Sequence, residues 1–266
     1  SYEKTKKDRT LNHIHDSNRI TVKKEDFVVL RNLGIGSIFR VDLIYHLKRC
    51  ELMAMKIPHF NDDEVPKLIK REKENYKKLN HIFLPKFFDT PEGENYLVME
   101  FINGKTLNYI DRDKLSYNDA VTIVFELIVI FEYLHSKKLI YRDLKPNNII
   151  IDENKNAVLI DFDRLISNNP DGEYTSNLGG LGSVFLAPEI HYGKISEKCD
   201  IYSLGMMIRY IMGKKALIGH FTRDHTICSI IQYSTNPEPE FRLDVIYTLF
   251  LFVADFYPLI HVNCIS

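Results

Sequence analysis

Residues 141–151 read YRDLKPNNIII, a short run that sets an acid, a base and an amide just ahead of three isoleucines. Asp143, Lys145 and Asn148 stand among turn-forming residues, and the β-branched run that follows is typical of a buried strand. Loops that are anchored by a rigid strand are where binding and catalytic side chains concentrate. The stretch therefore predicts chemistry in this loop rather than packing.

The composition excludes some classes of partner. The 266 residues include 35 Lys and Arg against 36 Asp and Glu, which leaves a net charge of −1. Such a chain has no overall field to attract nucleic acid or an anionic membrane, so an anionic ligand must be held by local groups. The sequence carries no nucleic-acid-binding motif, and we expect no nucleic-acid partner. The length allows one large domain or two lobes with separate cores.

Cysteine usage indicates a reducing compartment. Four cysteines lie far apart without a C-x-x-C pair, and a chain of this length needs no disulfide framework. The opening SYEKTKKDRT lacks the apolar core of a signal peptide. We therefore expect an intracellular, cytoplasmic protein.

Two apolar stretches, residues 121–134 and 245–254, require a test against a membrane span. The first carries Glu126 and Glu132, and the second ends at Asp255 after about half of the ~20 apolar residues that a span requires. Both are predicted to be buried helices, and no membrane partner is expected. A membrane-associated or frame-altered tail is the alternative for the second stretch.

Residues 27–101 carry the pattern of an antiparallel sheet. Five short runs are typical of strands: FVVLRNL, FRVDLIY, ELMAMKI, KFFDT and YLVMEF. One helix interrupts them. Acids precede Pro66, as at many helix starts, and apolar residues then recur at helical spacing, at Leu68, Tyr76 and Leu79.

Glu72 falls on the apolar stripe of this predicted helix. A carboxylate in that place lowers stability unless a cation meets it. Lys56 ends the apolar strand sequence MAMK, where its ammonium group could meet both Glu72 and a phosphate. The alternatives are a surface position for Glu72 at the edge of the stripe and a solvated strand end for Lys56.

After INGKTL, residues 102–107, the pattern becomes helical, with periodic segments around 117–135 and 199–213. Between them lies the irregular stretch SNNPDGEYTSNLGGLGS, and loops of that length are usually functional or mobile. The sequence thus predicts an α+β fold with a mainly β first lobe and a mainly α second lobe. The expected divisions are a polar N-terminal extension, two lobes and an apolar C-terminal tail of undefined structure, at residues 1–26, 27–101, 102–246 and 247–266.

Two further motifs favour a nucleotide and a metal. In LGIGSIFRV, Gly34 and Gly36 allow the backbone to approach a ligand and to turn N–H groups toward phosphate oxygens; a simple hairpin turn is the alternative. Asp161 directly follows the apolar VLI of VLIDFDRL. An Asp and an Asn that emerge beside short strands suit Mg²⁺, which takes few protein oxygens and keeps water and phosphate ligands.

The order of these motifs resembles a known family. A Gly-rich loop, a strand Lys, a helix Glu, a D-x-K-x-x-N loop, a D-F pair and the A-P-E triplet at 187–189 follow one another as in the protein-kinase signature set. The resemblance runs from about residue 27 to about residue 246, and the chain is identified as a member of the eukaryotic-type protein kinase domains. It implies a bilobal fold with a small, mainly antiparallel β N-lobe that holds one helix, and a larger, mainly α C-lobe.

The resemblance implies an ATP site, with ten residues at positions that contact the nucleotide in the family: Leu33, Gly34, Gly36, Val41, Ala54, Lys56, Met99, Glu100, Ile102 and Ile150. It implies that Gly34 and Gly36 cover the phosphates. Lys56 holds the α and β phosphates and pairs with Glu72, and Met99 guards the back of the adenine pocket.

The resemblance also implies the catalytic and metal-binding groups. Asp143 accepts or orients the proton of the substrate hydroxyl, and Lys145 steadies the γ-phosphoryl group. Asn148 and Asp161 hold Mg²⁺. The form DLKPNN is typical of Ser/Thr kinases, so the expected reaction is γ-phosphoryl transfer from ATP to Ser or Thr of a protein substrate.

Supporting roles follow from the same resemblance. Glu189 matches the residue that anchors the peptide-binding segment to a buried Arg, and Arg242 is the candidate partner. Asp200 matches a structural residue that supports the catalytic loop. Activation is expected through an upstream kinase or autophosphorylation at Thr175 or Ser176.

The sequence departs from the family pattern at several positions. Phe39 stands at the third glycine of the Gly-rich loop, and Asp163 stands at the glycine after Phe162, where it should restrict flipping of that ring. Tyr141 replaces the commoner His, and Ser183 is an uncertain match to the usual Thr. The segment 213–242 is also shorter than in the family. Phe39, Asp163 and this shortening leave a nucleotide-binding pseudokinase scaffold as the alternative function, with a small-molecule kinase as a third.

Overall fold

The computed structural model describes residues 21–60, 63–168, 183–213 and 221–259. Thr175 and Ser176, the expected phosphorylation positions, lie outside the described residues, as do most of the polar extension and the end of the tail. The chain divides into two compact units. Unit 1 is the chain up to Asn103 together with Ile160–Asp163, and unit 2 is Gly104–Leu159 together with the chain from Arg164 onward.

Unit 1 contains the predicted antiparallel sheet. Its five strands lie in the order β1-β2-β3-β5-β4, and every neighbouring pair is antiparallel. The strands are β1 Phe27–Ile35, β2 Phe39–His46, β3 Glu51–Pro58, β4 Phe87–Phe88 and β5 Leu97–Glu100. Consecutive side chains of the central strands are buried, and Ile44, Met53 and Val98 form part of one core cluster.

Helix α1, Val65–Lys77, is the single α-helix described in unit 1. Pro66 occupies its first turn, where a missing N–H removes no intrahelical bond. The predicted apolar stripe is wrong in two residues. Leu68 is half-buried and its neighbour Ile69 faces the core, while Leu79 is half-buried and lies beyond the end of the helix. The buried face includes Ile69, Glu72 and Tyr76, which recur at three to four residues and so share one side of the helix.

Unit 2 is mainly helical. Its described helices are α2 Tyr117–Ser136, α3 Glu197–Met212, α4 Phe221–Ser234 and α5 Val245–Phe256. Short strands form two small sheets, in the orders β6-β8-β9 and β10-β7. These strands are β6 Gly104–Thr106, β7 Leu139–Ile140, β8 Ile149–Asp152, β9 Ala157–Leu159 and β10 Ile166–Ser167. The division into a β-rich and a helical unit agrees with the fold class expected from the sequence.

Helix α2 is the buried helix predicted from its apolar sequence. Ser116 and Asp119 form a capping box at its start. Glu126 is buried within it and accepts a hydrogen bond from the backbone N–H of Ala157 at 2.6 Å, which explains the acid in an apolar helix. Among the described residues, no helix combines the length and the apolar character that a membrane span needs.

Helix α5 corrects the prediction of a fully buried segment. One side of it packs against α2 and α4, with Thr248 and Phe252 inaccessible to water. The other side leaves Ile246, Tyr247 and Phe250 more than half exposed. The sequence did not reveal this because both sides of the helix are apolar, so its pattern contains no polar stripe to mark the outer face.

Candidate active site

Lys56 meets two carboxylates within unit 1. Strand β3 brings its ammonium Nζ to 2.9 Å from Oε1 and 2.8 Å from Oε2 of Glu72, and to 2.9 Å from Oδ1 of Asp161. Lys56 is 7% exposed and Glu72 is 0% exposed. The predicted ion pair is therefore present, and neither alternative, a surface Glu72 or a solvated Lys56, describes the structure.

Burial and charge act against each other at this pair. Burial raises the pKa of Glu72 to about 7, although the Lys56 ammonium opposes that rise. Burial alone would lower the pKa of Lys56, but the carboxylates of Glu72, Asp161 and Asp163 outweigh it and raise that pKa. Lys56 is therefore a fixed positive charge at neutral pH. Such a charge is suited to binding phosphate oxygens.

The Gly-rich stretch is a tight turn between β1 and β2. The N–H of Gly36 donates to the carbonyl of Phe39 at 2.7 Å, so this N–H closes the turn instead of standing free for a phosphate. A Cβ atom at Gly36 would lie 3.2 Å from the same carbonyl, which accounts for the glycine. Gly34 lies within β1, opposite Val41, and its surroundings would accept a side chain.

Phe39, which stands where the family has a third glycine, packs against Lys56. The ring is 8% exposed, and its centroid lies 4.9 Å from the Lys56 Nζ atom. A cation over an aromatic face is attracted by the electrons of the ring. The departure from the glycine pattern thus places an aromatic ring directly on the ammonium group.

The residues expected around adenine fall on separate elements. In unit 1, Ala54 on β3 lies opposite Met99 on β5, and both are buried. Leu33 and Val41 are half-buried on β1 and β2. After β5, Glu100 is half-buried and Ile102 is buried, and in unit 2 Ile150 lies half-buried on β8. The Glu100 carboxylate accepts the N–H of Lys86 at 3.1 Å, which fixes the chain at this point.

The back of this region in unit 1 is filled by aromatic rings. The Tyr76 hydroxyl lies 3.4 Å from the sulfur of Met99. The Tyr76 ring stacks on Phe87 at 5.6 Å and meets the edge of Phe162 at 5.0 Å between centroids. Phe162 is 0% exposed. Tyr76 was expected only as a core residue, and its contact with Met99 was not predicted.

The loop 141–148 organises the polar groups of unit 2. Lys145 Nζ lies 2.7 Å from Oδ2 of Asp143, and the amide nitrogen of Asn148 donates to the same oxygen at 2.9 Å and to the backbone carbonyl of Asp143 at 2.9 Å. A 3-10 turn at Pro146–Asn148 leads straight into β8. The structure therefore brings together the three residues expected in this loop and anchors them on a buried strand.

A buried acid holds the start of this loop. Asp200 is 0% exposed, and its carboxylate accepts the N–H groups of Tyr141 and Arg142, each at 2.8 Å, and contacts His135 Nε2 at 3.1 Å. Arg142 has φ of +69°, a conformation that non-glycine residues seldom adopt. Its Nε donates to the carbonyl of Arg164 at 2.8 Å. Asp200 therefore supports the loop, as the sequence predicts.

A cavity of about 190 Å³ lies beside Asp143 in unit 2. Its lining includes the aromatic ring of Phe185 and three cationic side chains, those of Arg142, Lys145 and Arg164. Arg164 Nη1 lies 3.7 Å from Oδ1 of Asp143. The carboxylate thus faces a small, positively charged space.

Glu189 and Arg242 form the second predicted ion pair. Arg242 Nη1 lies 2.5 Å from Oε1 and Nη2 lies 2.9 Å from Oε2, and both residues are buried. Arg242 also donates to backbone carbonyls, including that of Lys198 at 2.9 Å. The pair joins the 3-10 turn Pro188–Tyr192 to the segment that precedes α5.

The residues expected to bind Mg²⁺ have oxygen donors of the kind it prefers. The amide nitrogen of Asn148 is turned toward Asp143, which directs its side-chain oxygen to the opposite side. The Asp161 side chain is 33% exposed, so its carboxylate is accessible from solvent. Asn148 belongs to unit 2 and Asp161 to unit 1, and each fits the role of an oxygen ligand within its own unit.

A buried Lys–Glu–Asp arrangement, an Asp–Lys–Asn loop and a β-rich unit followed by a helical one are together the features of the protein kinase class. The family model "Protein kinase domain" matches residues 27–245, and the chain belongs to that family.

Among curated proteins, the chain is similar to the "Carbon catabolite-derepressing protein kinase" of three yeasts. It is 29% identical over 195 residues to those of Saccharomyces cerevisiae and Candida glabrata, and 28% identical over 194 residues to that of Candida albicans. The matches cover 70% of this chain but only 30–31% of each relative. The chain thus spans less than a third of the length of these relatives.

Proposed function

We propose that the protein is a Ser/Thr protein kinase that transfers the γ-phosphoryl group of ATP, with Mg²⁺, to hydroxyl groups of protein substrates in the cytoplasm. The observation that carries the proposal is the Lys56 ammonium, held 2.8 Å from Glu72 and 2.9 Å from Asp161. A buried cation fixed by two acids is a preorganised phosphate ligand, and phosphoryl transfer depends mainly on positioning and charge neutralisation.

Each polar residue has a distinct part in the proposed reaction. Lys56 binds the α and β phosphates, and Glu72 keeps its ammonium in place. Asp143 orients the substrate hydroxyl and accepts its proton as the oxygen attacks the γ-phosphorus. Lys145, which lies 2.7 Å from Asp143, offsets the negative charge that gathers on the transferred group.

The proposed reaction also needs a metal ion to neutralise the negative charge of the ATP phosphates. We propose that Asn148 and Asp161 hold Mg²⁺, which when bound neutralises charge on the phosphate oxygens. The two residues present an amide oxygen and a carboxylate.

The DLKPNN sequence of the loop favours Ser or Thr over Tyr as the acceptor. The cationic lining of the cavity beside Asp143 suits a group that is about to receive a phosphoryl group. We further propose that an upstream kinase or autophosphorylation at Thr175 or Ser176 raises the activity.

The second candidate function is a nucleotide-binding pseudokinase scaffold. The observation that favours it is the Phe39 ring, which lies 4.9 Å from the Lys56 ammonium where the family has a glycine. In this alternative the ring limits access of phosphate to Lys56, and the protein binds a nucleotide without turning it over.

Phosphotransfer from radiolabelled Mg-ATP to a mixed protein substrate tests the proposal. Wild type is compared with Lys56→Met, Asp143→Asn and Asp161→Ala, and phosphorylated residues are identified by mass spectrometry. We expect transfer to Ser and Thr that falls at least about a hundredfold in each variant. Transfer by wild type no greater than by Asp143→Asn would exclude the kinase. Nucleotide binding by that inactive wild type would then favour the scaffold.

A further inference from the structure

Asn75 makes a contact that the proposed mechanism does not yet use. Its amide nitrogen donates to the backbone carbonyl of Phe162 at 2.8 Å, across 87 positions of sequence. Asn75 is 3% exposed and Phe162 is 0% exposed. Asn75 follows Glu72 by three residues, so α1 directs both side chains to one face. Helix α1 therefore contacts Lys56 through Glu72, and through Asn75 it contacts the segment Asp161–Asp163, called here the D-F-D segment.

The D-F-D segment needs this support because Asp161 has an unfavourable backbone conformation. Its φ of +67° lies in the left-handed region, which non-glycine residues occupy only when their surroundings impose it. On one side, the Asp161 carboxylate contacts Lys56 Nζ at 2.9 Å. On the other side, the following carbonyl is held by Asn75, and the Phe162 ring packs on Tyr76.

The hydrogen bond restrains the peptide unit between Phe162 and Asp163, which follows the unit that joins Asp161 to Phe162. Rotation of the restrained unit would break this buried hydrogen bond from Asn75, which is unfavourable. The Asn75 amide thus favours the backbone state in which Asp161 stays beside Lys56.

We propose that Asn75 is a positioning residue: through the Phe162 carbonyl it keeps Asp161 in the orientation that binds the metal. The inference rests on the proposed function, in which Asp161 is a Mg²⁺ ligand. Asn75 itself touches neither the nucleotide nor the metal. Its loss should therefore weaken the metal-dependent part of nucleotide binding and leave the metal-independent part intact.

Two variants separate the hydrogen bond from the packing. Asn75→Leu keeps the size of the side chain and removes the donor, and Asn75→Asp keeps the shape and replaces the donor by an acceptor. The matched control is Glu74→Gln, on the same helix, where the side chain is 55% exposed and pairs only locally with Lys77 in the described contacts. Calorimetric titration with the ATP analogue AMP-PNP is performed on each protein with Mg²⁺ and again with EDTA.

We expect both Asn75 variants to bind AMP-PNP about tenfold more weakly than wild type in Mg²⁺, and within about twofold of wild type in EDTA. Glu74→Gln should match wild type in both conditions. Wild-type affinity in Mg²⁺ for either folded Asn75 variant would overturn the inference, as would an equal loss in EDTA. A wild type that gains no affinity from Mg²⁺ would instead overturn the proposed role of Asp161 and with it the proposed function.

Hydrogen exchange in the ligand-free wild type provides a measurement that does not depend on the variants. If Asn75 holds the segment, the peptide that covers residues 160–165 should exchange as slowly as strand β9. Rapid exchange of this peptide would overturn the inference even if a variant failed to fold. In a folded Asn75→Leu variant the same peptide should exchange about tenfold faster than in wild type, with the rest of α1 unchanged.

Discussion

The guanidinium of Arg242 donates hydrogen bonds to both carboxylate oxygens of Glu189, although the two residues are 53 positions apart in the chain. Burial alone would raise the pKa of Glu189, but the hydrogen bonds from Arg242 lower it below its ordinary value of 4.5. Glu189 is therefore charged at neutral pH, and its charge is neutralised by a bidentate contact inside the protein.

Removing the cation should leave a buried, uncompensated carboxylate. We expect Arg242→Met to lower the free energy of unfolding by about 3–5 kcal/mol, measured by urea denaturation at neutral pH. The combined variant Arg242→Met with Glu189→Gln should recover part of this loss, because no charge stays buried. Additive losses in the combined variant would contradict an interaction between the two side chains.

The titration of Glu72 predicts a pH dependence of stability. Its pKa is raised to about 7 from an ordinary value of 4.5, so between these values the folded protein keeps a proton that the unfolded chain releases. The contribution of this group to the free energy of unfolding is therefore fully present below pH 4.5 and falls as the pH rises toward 7. Glu72→Gln cannot titrate.

The measurement compares wild type with Glu72→Gln by urea denaturation from about pH 5 to about pH 8. We expect the stability of wild type relative to the variant to fall across this interval and to level off above it. A relative stability that rises with pH would show that Lys56 dominates and that the pKa of Glu72 lies below its ordinary value.

Replacing Phe39 should expose the Lys56 ammonium. We expect Phe39→Gly to lower the KM for ATP about fivefold, because the ring no longer competes with a phosphate for the cation. Ile38→Gly is the matched control, since it adds the same backbone freedom to the turn without removing the ring. Equal changes in both variants would mean that turn flexibility, and not the contact with Lys56, sets the affinity.

Asp200 holds two backbone N–H groups, and its removal should destabilise unit 2. We expect Asp200→Ala to lower the free energy of unfolding by about 2–5 kcal/mol, because the N–H groups of Tyr141 and Arg142 lose their acceptor in a buried place. Ser203→Ala, on the same helix, removes a buried hydroxyl that bonds only within α3 in the described contacts and should cost less than about 1 kcal/mol. Urea denaturation of both variants makes the comparison.

Sequence reasoning predicted contacts correctly where a charged residue occupies a position expected to be buried. Glu72 on an apolar stripe demanded a cation, and the structure pairs it with Lys56. Glu189 and Arg242 were matched through the family pattern, and their contact is present. The prediction of the first pair came from charge, since a buried charge has few acceptable solutions, and that of the second came from the resemblance to the family.

The remaining features depend on geometry that a one-dimensional pattern does not encode. Leu68 and Ile69 are equally apolar neighbours, so spacing alone did not decide which one faces the core. Asn75 gave a weak signal, a polar residue one turn after Glu72, but its partner Phe162 lies 87 positions away. The contact between Phe39 and Lys56 likewise arises only when β2 and β3 pair.

The hydroxyl of Tyr76 against the sulfur of Met99 has a consequence for chemical inhibition. The space behind Met99 is already filled by a large ring that is itself packed between Phe87 and Phe162. A compound that gains selectivity by reaching past Met99 would have to displace this stack, at the expense of buried aromatic contacts. Compounds for this protein are therefore best built outward from Ala54 toward Phe39, where the sequence departs from the glycine of the family pattern.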